Sequence, residues 1–79
     1  MYYVYILRSK KDSSIYIGVT TNLKKRIKEH NSQGFKFTTS KRPYKLIWCS
    51  IFPNKLKAYR FEKYLKTGSG IAFLRKHLI

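Results

Sequence analysis

Acidic side chains are almost missing from this sequence. Of 79 residues only Asp12, Glu29 and Glu62 are acidic, against eighteen Lys and Arg. A two-metal hydrolytic centre needs several converging carboxylates, and three scattered ones hardly supply it; one carboxylate holding one cation stays open. Cysteine is nearly absent too. The lone Cys49 excludes an internal disulfide, which fits a reducing cytoplasm. Within "KLIWCSI" it reads as a small buried apolar residue. No apolar run exceeds seven residues, too short for a membrane span. That run, "MYYVYIL", lacks a positive stretch before it and a small-residue cleavage site after it, so it reads as a strand and not a signal peptide. With no repeat, linker or low-complexity tail, one compact domain over residues 1–79 is expected. A chain of this length buries only about 60–65% of its unfolded surface, so any site on it is shallow.

What the sequence has in excess is positive charge. The formal net charge is +15, far beyond what solubility requires. Such a surface repels itself and seeks a polyanion, nucleic acid above all. The bland alternative is a solvated basic surface or an RNA-packing protein of ribosomal type. An anionic membrane fits less well, because no long helix pairs a strong apolar face with a basic one.

Hydrophobic alternation organises the chain. Residues 2–8, "YYVYILR", and 15–20, "IYIGVT", are rich in β-branched and aromatic residues and read as strands joined by the polar "SKKDSS". Val4 and Ile6 share one face of the first; Ile15, Ile17 and Val19 share one face of the second. If these apolar sets meet on the core side, Tyr5 and Tyr16 both point to the opposite side, and Gly18 lies on theirs. A glycine inside a strand weakens it unless something must come close to the backbone there; the alternative is that Gly18 marks a bulge.

A helix then starts at Thr21 or Asn22 and stops near Gly34, with Leu23, Ile27 and His30 as its inward stripe. Lys24, Lys25 and Lys28 face water, while Arg26 borders the stripe. Residues 35–43 form a basic loop ending at Pro43. "YKLIWCSIF" is a third strand, almost continuously apolar and therefore expected to be well buried. A second helix over about 54–67 turns Ala58, Phe61 and Leu65 inward, with Glu62 beside that stripe. The "GSG" at 68–70 breaks it, and a last helix carries Ile71, Leu74 and Leu78. The order ββαβαα describes an α+β fold, a three-stranded antiparallel sheet flanked by helices.

The ordered set "YVY" at 3–5, "YIG" at 16–18, Arg26, His30 and Glu62 on a later helix resembles the GIY-YIG nuclease superfamily, in particular its small stand-alone bacterial members. "YIGVTTNLKKRIKEHN", "TTSKRPYKLIW" and "FEKYLKTGSG" extend the likeness over nearly the whole chain. The resemblance implies an endonuclease hydrolysing phosphodiester bonds in DNA, with one divalent cation, Mg²⁺ or Mn²⁺. It makes Tyr5, Tyr16, Arg26, His30 and Glu62 catalytic. Tyr5 would activate the attacking water, as a phenolate favoured by nearby cations. Arg26 would clamp the scissile phosphate. His30 would orient or deprotonate a tyrosine, or act as acid or base itself, and Glu62 would hold the metal. Branched or damaged DNA is a plausible substrate.

Two departures stand out. Tyr3 occupies the place of the first motif's glycine, and Val19 stands where some members carry a lysine. If a lysine assists, Lys41 or Lys10 must reach in. Gly18, Lys10, Lys41 and Arg42 are candidates for nucleic-acid contact, made largely through phosphates. The protein is expected to be a monomer or weak homodimer, and the rival reading is a catalytically idle nucleic-acid-binding module with the same fold and charge.

Overall fold

The computed structural model describes residues 1–32 and 41–79. Strands β1 (Tyr2–Ser9), β2 (Ile15–Thr20) and β3 (Tyr44–Phe52) and helices α1 (Leu23–Asn31), α2 (Lys55–Leu65) and α3 (Gly68–His77) follow in the order ββαβαα. β1 lies between β2 and β3 and pairs antiparallel with both. Tyr5 stands opposite Gly18, and Leu7 opposite Tyr16. This is the odd register that alternation requires, so the two tyrosines share a face.

The sheet is covered on both sides. Val4, Ile6 and Ile17 pack with Ala58 and Leu65 of α2 and Leu74 of α3. Tyr5 and Leu7 pack on the other side with Tyr44, Leu23 and Ile27. Val4, Tyr5, Ile6 and Leu7 are all but inaccessible to solvent, so β1 is a central strand whose neighbours fix every side chain. Burying each such aliphatic side chain stabilises the fold by about 1.5–3 kcal/mol.

β3 is not the well-buried strand its composition suggests. It is an edge, with Lys45, Cys49 and Ile51 exposed. Its unbroken apolar run has another cause. A bulge shifts the register between the pairs Ile6–Trp48 and Leu7–Leu46, leaving Ile47 as the extra residue. Ile47 and Trp48 then pack on the α2–α3 side and Leu46 on the α1 side. Cys49, opposite Tyr5, is exposed rather than buried.

The helix ends follow their caps. Asn22, Asn54 and Thr67 accept the backbone N–H of Lys25, Lys57 and Gly70 at 3.1, 3.1 and 3.0 Å. α1 closes at Asn31, short of Gly34, which lies outside the described residues together with 35–40 of the basic loop. "GSG" does not separate two helices; it forms the first turn of α3. A β-carbon at Gly70 would stand 1.8 Å from the Tyr64 carbonyl oxygen, so only glycine lets α3 start against the end of α2. Among the described residues no helix is long and apolar enough to cross a membrane.

Candidate active site

The site is built on β1 and closed by α1. Asn22 sets the start of α1, which places Arg26 and His30 one turn apart over the Tyr5 face. His30 is fully buried, and its Nε2 lies 3.1 Å from the Tyr5 hydroxyl. Its ring is surrounded by tyrosines: Tyr16 at 4.7 Å, Tyr5 at 6.0 Å and Tyr44 at 6.1 Å between centroids. The Tyr5 and Tyr16 rings are 6.3 Å apart.

Arg26 lies close enough to the Tyr5 phenol to pull its pKa down, by its charge and as a hydrogen-bond donor. With the proton of neutral His30 on Nδ1, Nε2 accepts from the Tyr5 hydroxyl; with the proton on Nε2, it donates to the phenol oxygen. Burial, and after it the Arg26 charge, holds the His30 pKa below the ordinary imidazole value, with Glu29 opposing. Arg26 also pairs through Nε with Glu29 at 3.3 Å, at the half-exposed rim of the site. A polar hollow of about 120 Å³ opens there, lined by Arg26, Lys25, Thr20 and the start of α1.

The expectation that surrounding cations favour a Tyr5 phenolate is not met in the free protein. Burial dominates and pushes the Tyr5 pKa well above the ordinary phenol value, helped by Tyr16; Arg26 pulls the other way without prevailing. High net charge counts for little here, because most of the lysines stand in water, where their fields are screened.

Gly18 makes room for this arrangement. A β-carbon there would meet the Tyr5 oxygen and ring, so what approaches this strand closely is the Tyr5 phenol.

Glu62 stands at the margin of the cluster. It lies on α2, across the sheet from α1, yet near enough to Tyr5 to raise the phenol's pKa, as the smallest of the contributions. Its side chain is 17% exposed and forms an ion pair with Lys66, one helical turn on. Lys66 in turn borders a hollow of about 350 Å³ with Tyr16, Ile15, Ile17 and Ile71. Among the described residues no three His, Cys, Asp or Glu side chains are grouped to hold a metal. A single carboxylate fits a hard cation that keeps most of its water shell.

The other candidates lie around the β1–β2 hairpin. Lys41 pairs with Asp12 at 3.6 Å, and its carbonyl accepts from the buried Ser9 hydroxyl. The Lys10 backbone N–H bonds the Pro43 carbonyl at 2.9 Å, and Arg42 donates to the Ser32 carbonyl.

Sequence reasoning passed over two residues. Tyr44 completes the ring cage of His30. Asn31 holds Tyr44 in place by bonding its backbone N–H and carbonyl at 2.5 and 3.1 Å. The ion pair of Glu62 with Lys66, by contrast, is legible in their spacing of four on a helix.

Two strand tyrosines thus face an arginine and a histidine on one helix, with one carboxylate on another helix at the margin. The family model described as the GIY-YIG catalytic domain matches residues 1–70, and the chain belongs to that family. Its relatives include the UPF0213 protein CPE1444 of Clostridium perfringens, 49% identical over 67 residues, 84% of this chain and 71% of that one. The UPF0213 protein SH2523 of Staphylococcus haemolyticus is 44% identical over 69 residues, covering 86% of this chain and 83% of the relative. The solution NMR structure of the UPF0213 protein BH0048 from Bacillus halodurans superposes with a TM-score of 0.59 at 39% identity. That match covers 96% of this chain and 84% of that one.

Proposed function

We propose that the protein is an endonuclease that hydrolyses phosphodiester bonds in DNA with the help of one divalent cation, Mg²⁺ or Mn²⁺. The observation that carries this reading is the 3.1 Å contact between the Tyr5 hydroxyl and His30 Nε2, with Arg26 beside the phenol. Membership in the GIY-YIG family supports it, as does the net charge of +15.

The raised pKa of Tyr5 argues against a standing phenolate and for a relay. As the water oxygen bonds to phosphorus, its proton passes to the Tyr5 oxygen while the Tyr5 proton passes to His30 Nε2. The ester P–O bond breaks, and the departing oxygen takes a proton from solvent. Tyr5 ends the step neutral and His30 charged, and His30 then returns its proton to solvent. Arg26 stabilises the charge that builds on the phosphoryl oxygens, and Tyr16 shields the relay from bulk water. Glu62 is the residue that would hold the cation, which when bound supplies Lewis-acid polarisation of a phosphate oxygen. Lys66 must release Glu62 for that to happen.

The test is nicking of supercoiled plasmid in Mg²⁺, Mn²⁺ or EDTA, comparing wild type with Arg26→Ala and Glu62→Gln. Metal-dependent nicking lost in both variants, with DNA binding in EDTA retained, supports the reading. Tight binding with no cleavage in either metal would instead make the protein a binding module that keeps the fold.

A further inference from the structure

On the flank of α2 turned away from Glu62, aromatic rings form a continuous track from the sheet to the end of α3. Phe61 touches Trp48 at 5.9 Å and Phe52 at 5.5 Å between centroids. From Phe61 the track runs to Tyr64 at 6.4 Å, to Phe73 at 6.2 Å and to His77 at 5.0 Å. Its inner end belongs to the core, but its outer end does not: Tyr64 is 41% and Phe73 38% exposed, and His77 is exposed. None of these three is needed by the Tyr5–His30 relay.

Helical spacing puts cations beside these rings. Arg60 lies four residues before Tyr64, Lys57 a further three before Arg60, and Lys76 three after Phe73; all three are exposed. From Lys55 to the end of the chain there are seven Lys or Arg and only one acid, Glu62. This charge decides what covers the track. A second copy would set like charges against like. An acidic protein would satisfy the cations but has no special use for a row of ring faces. A single nucleic-acid strand supplies both phosphates and unstacked bases, and base–aromatic stacking is indifferent to sequence.

We propose that Tyr64, Phe73 and His77 form a stacking platform for unpaired bases of single-stranded nucleic acid, whose phosphates are met by Lys57, Arg60 and Lys76. The platform gives the protein a second contact with nucleic acid, separate from the cleaving cluster, and with it a preference for substrates that contain unpaired strand. The inference rests on nucleic acid being the partner, as the proposed function has it, but not on cleavage.

The test is fluorescence of a 12-nucleotide single strand carrying 2-aminopurine, titrated with the full chain in EDTA beside a duplex of the same length. Wild type, Tyr64→Ala/Phe73→Ala and Tyr64→Leu/Phe73→Leu are compared; the leucine pair keeps the apolar packing without the π faces. Wild type is expected to quench the base on binding. Both double variants should lose the quenching and bind the single strand about tenfold or more weakly, while duplex affinity and the salt dependence of binding hold. Lys57→Gln/Lys76→Gln should instead flatten the salt dependence. Single-strand affinity within twofold of wild type in the leucine variant, with quenching retained, would overturn the proposal. Concentration-dependent self-association that the leucine variant abolishes would also overturn it, assigning the face to a second copy. Failure of the wild type to bind either probe would overturn the nucleic-acid reading itself.

Discussion

The Tyr5 phenol lies so close against Gly18 that a β-carbon at position 18 would stand 2.5 Å from its oxygen and 2.7 Å from Cζ. Tyr5 is buried against α1, so its ring has nowhere to retreat. Gly18→Ala should therefore destabilise the fold by about 1–3 kcal/mol, a fall in Tm of roughly 4–8 °C per kcal/mol at this chain length. Truncating the ring removes the clash. In a thermal-unfolding cycle with Tyr5→Ala, the alanine at 18 should cost much less than it does beside an intact tyrosine. Additive losses in the double variant would show that Gly18 is needed for some other reason.

Tyr5→Phe separates chemistry from packing. The ring stays, and only the oxygen between Arg26 and His30 is lost. Proton transfer by a placed side chain is worth roughly 10²–10⁴ in rate, so cleavage should fall by at least about a hundredfold. Stability should fall by about 1 kcal/mol, the net value of an ordinary hydrogen bond, and DNA affinity in EDTA should hardly change. Nicking by Tyr5→Phe within tenfold of wild type would remove Tyr5 from the relay.

These two residues show where sequence reasoning reached and where it stopped. Alternation in "VYI" and "YIG" sufficed to put Tyr5, Tyr16 and Gly18 on one face, because a two-residue period leaves only two choices. The spacing of Leu23, Ile27 and His30 likewise gave the inward stripe of α1, though not which face of the sheet it covers. The direction of the Tyr5 pKa was out of reach, since it depends on how far burial outweighs one guanidinium. The reading of β3 failed because a bulge at Ile47 gives the same continuous apolar run as a strand buried on both faces. "GSG" was misjudged because Gly70 is required by the Tyr64 carbonyl, a contact made only after α2 and α3 have packed. Tyr44 and Asn31 escaped for the same reason: their roles arise where α1 meets β3.

The proposed relay needs His30 neutral, and this sets a pH dependence. With its pKa held below the ordinary value of 6.5, cleavage should rise with pH through that lowered value and be level by neutrality. Stability carries the same sign. Below pH 6.5 the unfolded chain takes up a proton that folded His30 refuses, so this group's contribution shrinks as pH falls, down to the folded pKa. Tyr5 acts at the other end. Its pKa is raised on folding, so above about pH 10 the unfolded chain loses a proton that the native state keeps, and stability declines as pH rises further. Denaturant titrations across this range should show both slopes in wild type. His30→Asn should flatten the acid slope, and Tyr5→Phe should reduce the alkaline one to the part contributed by Tyr44, whose pKa burial also raises. An unchanged acid slope in His30→Asn would mean that the buried ring is not the group responsible.

The ion pair between Lys66 and Glu62 makes the lysine a built-in competitor for any cation that Glu62 holds. Lys66 is about half exposed, and a pair of that kind is worth at most about 1 kcal/mol. Lys66→Met should therefore tighten Mn²⁺ binding by roughly two- to fivefold, read from the line broadening that Mn²⁺ causes in NMR spectra. Lys63→Met is the control for charge alone, since Lys63 adjoins Glu62 in sequence but stands on the exposed side of α2. Its effect should be smaller. Glu62→Gln should abolish the site in either background. Mn²⁺ binding that needs Glu62 yet responds equally to loss of Lys63 and Lys66 would reduce the pair to a surface contact, whereas binding that survives Glu62→Gln would move the metal elsewhere.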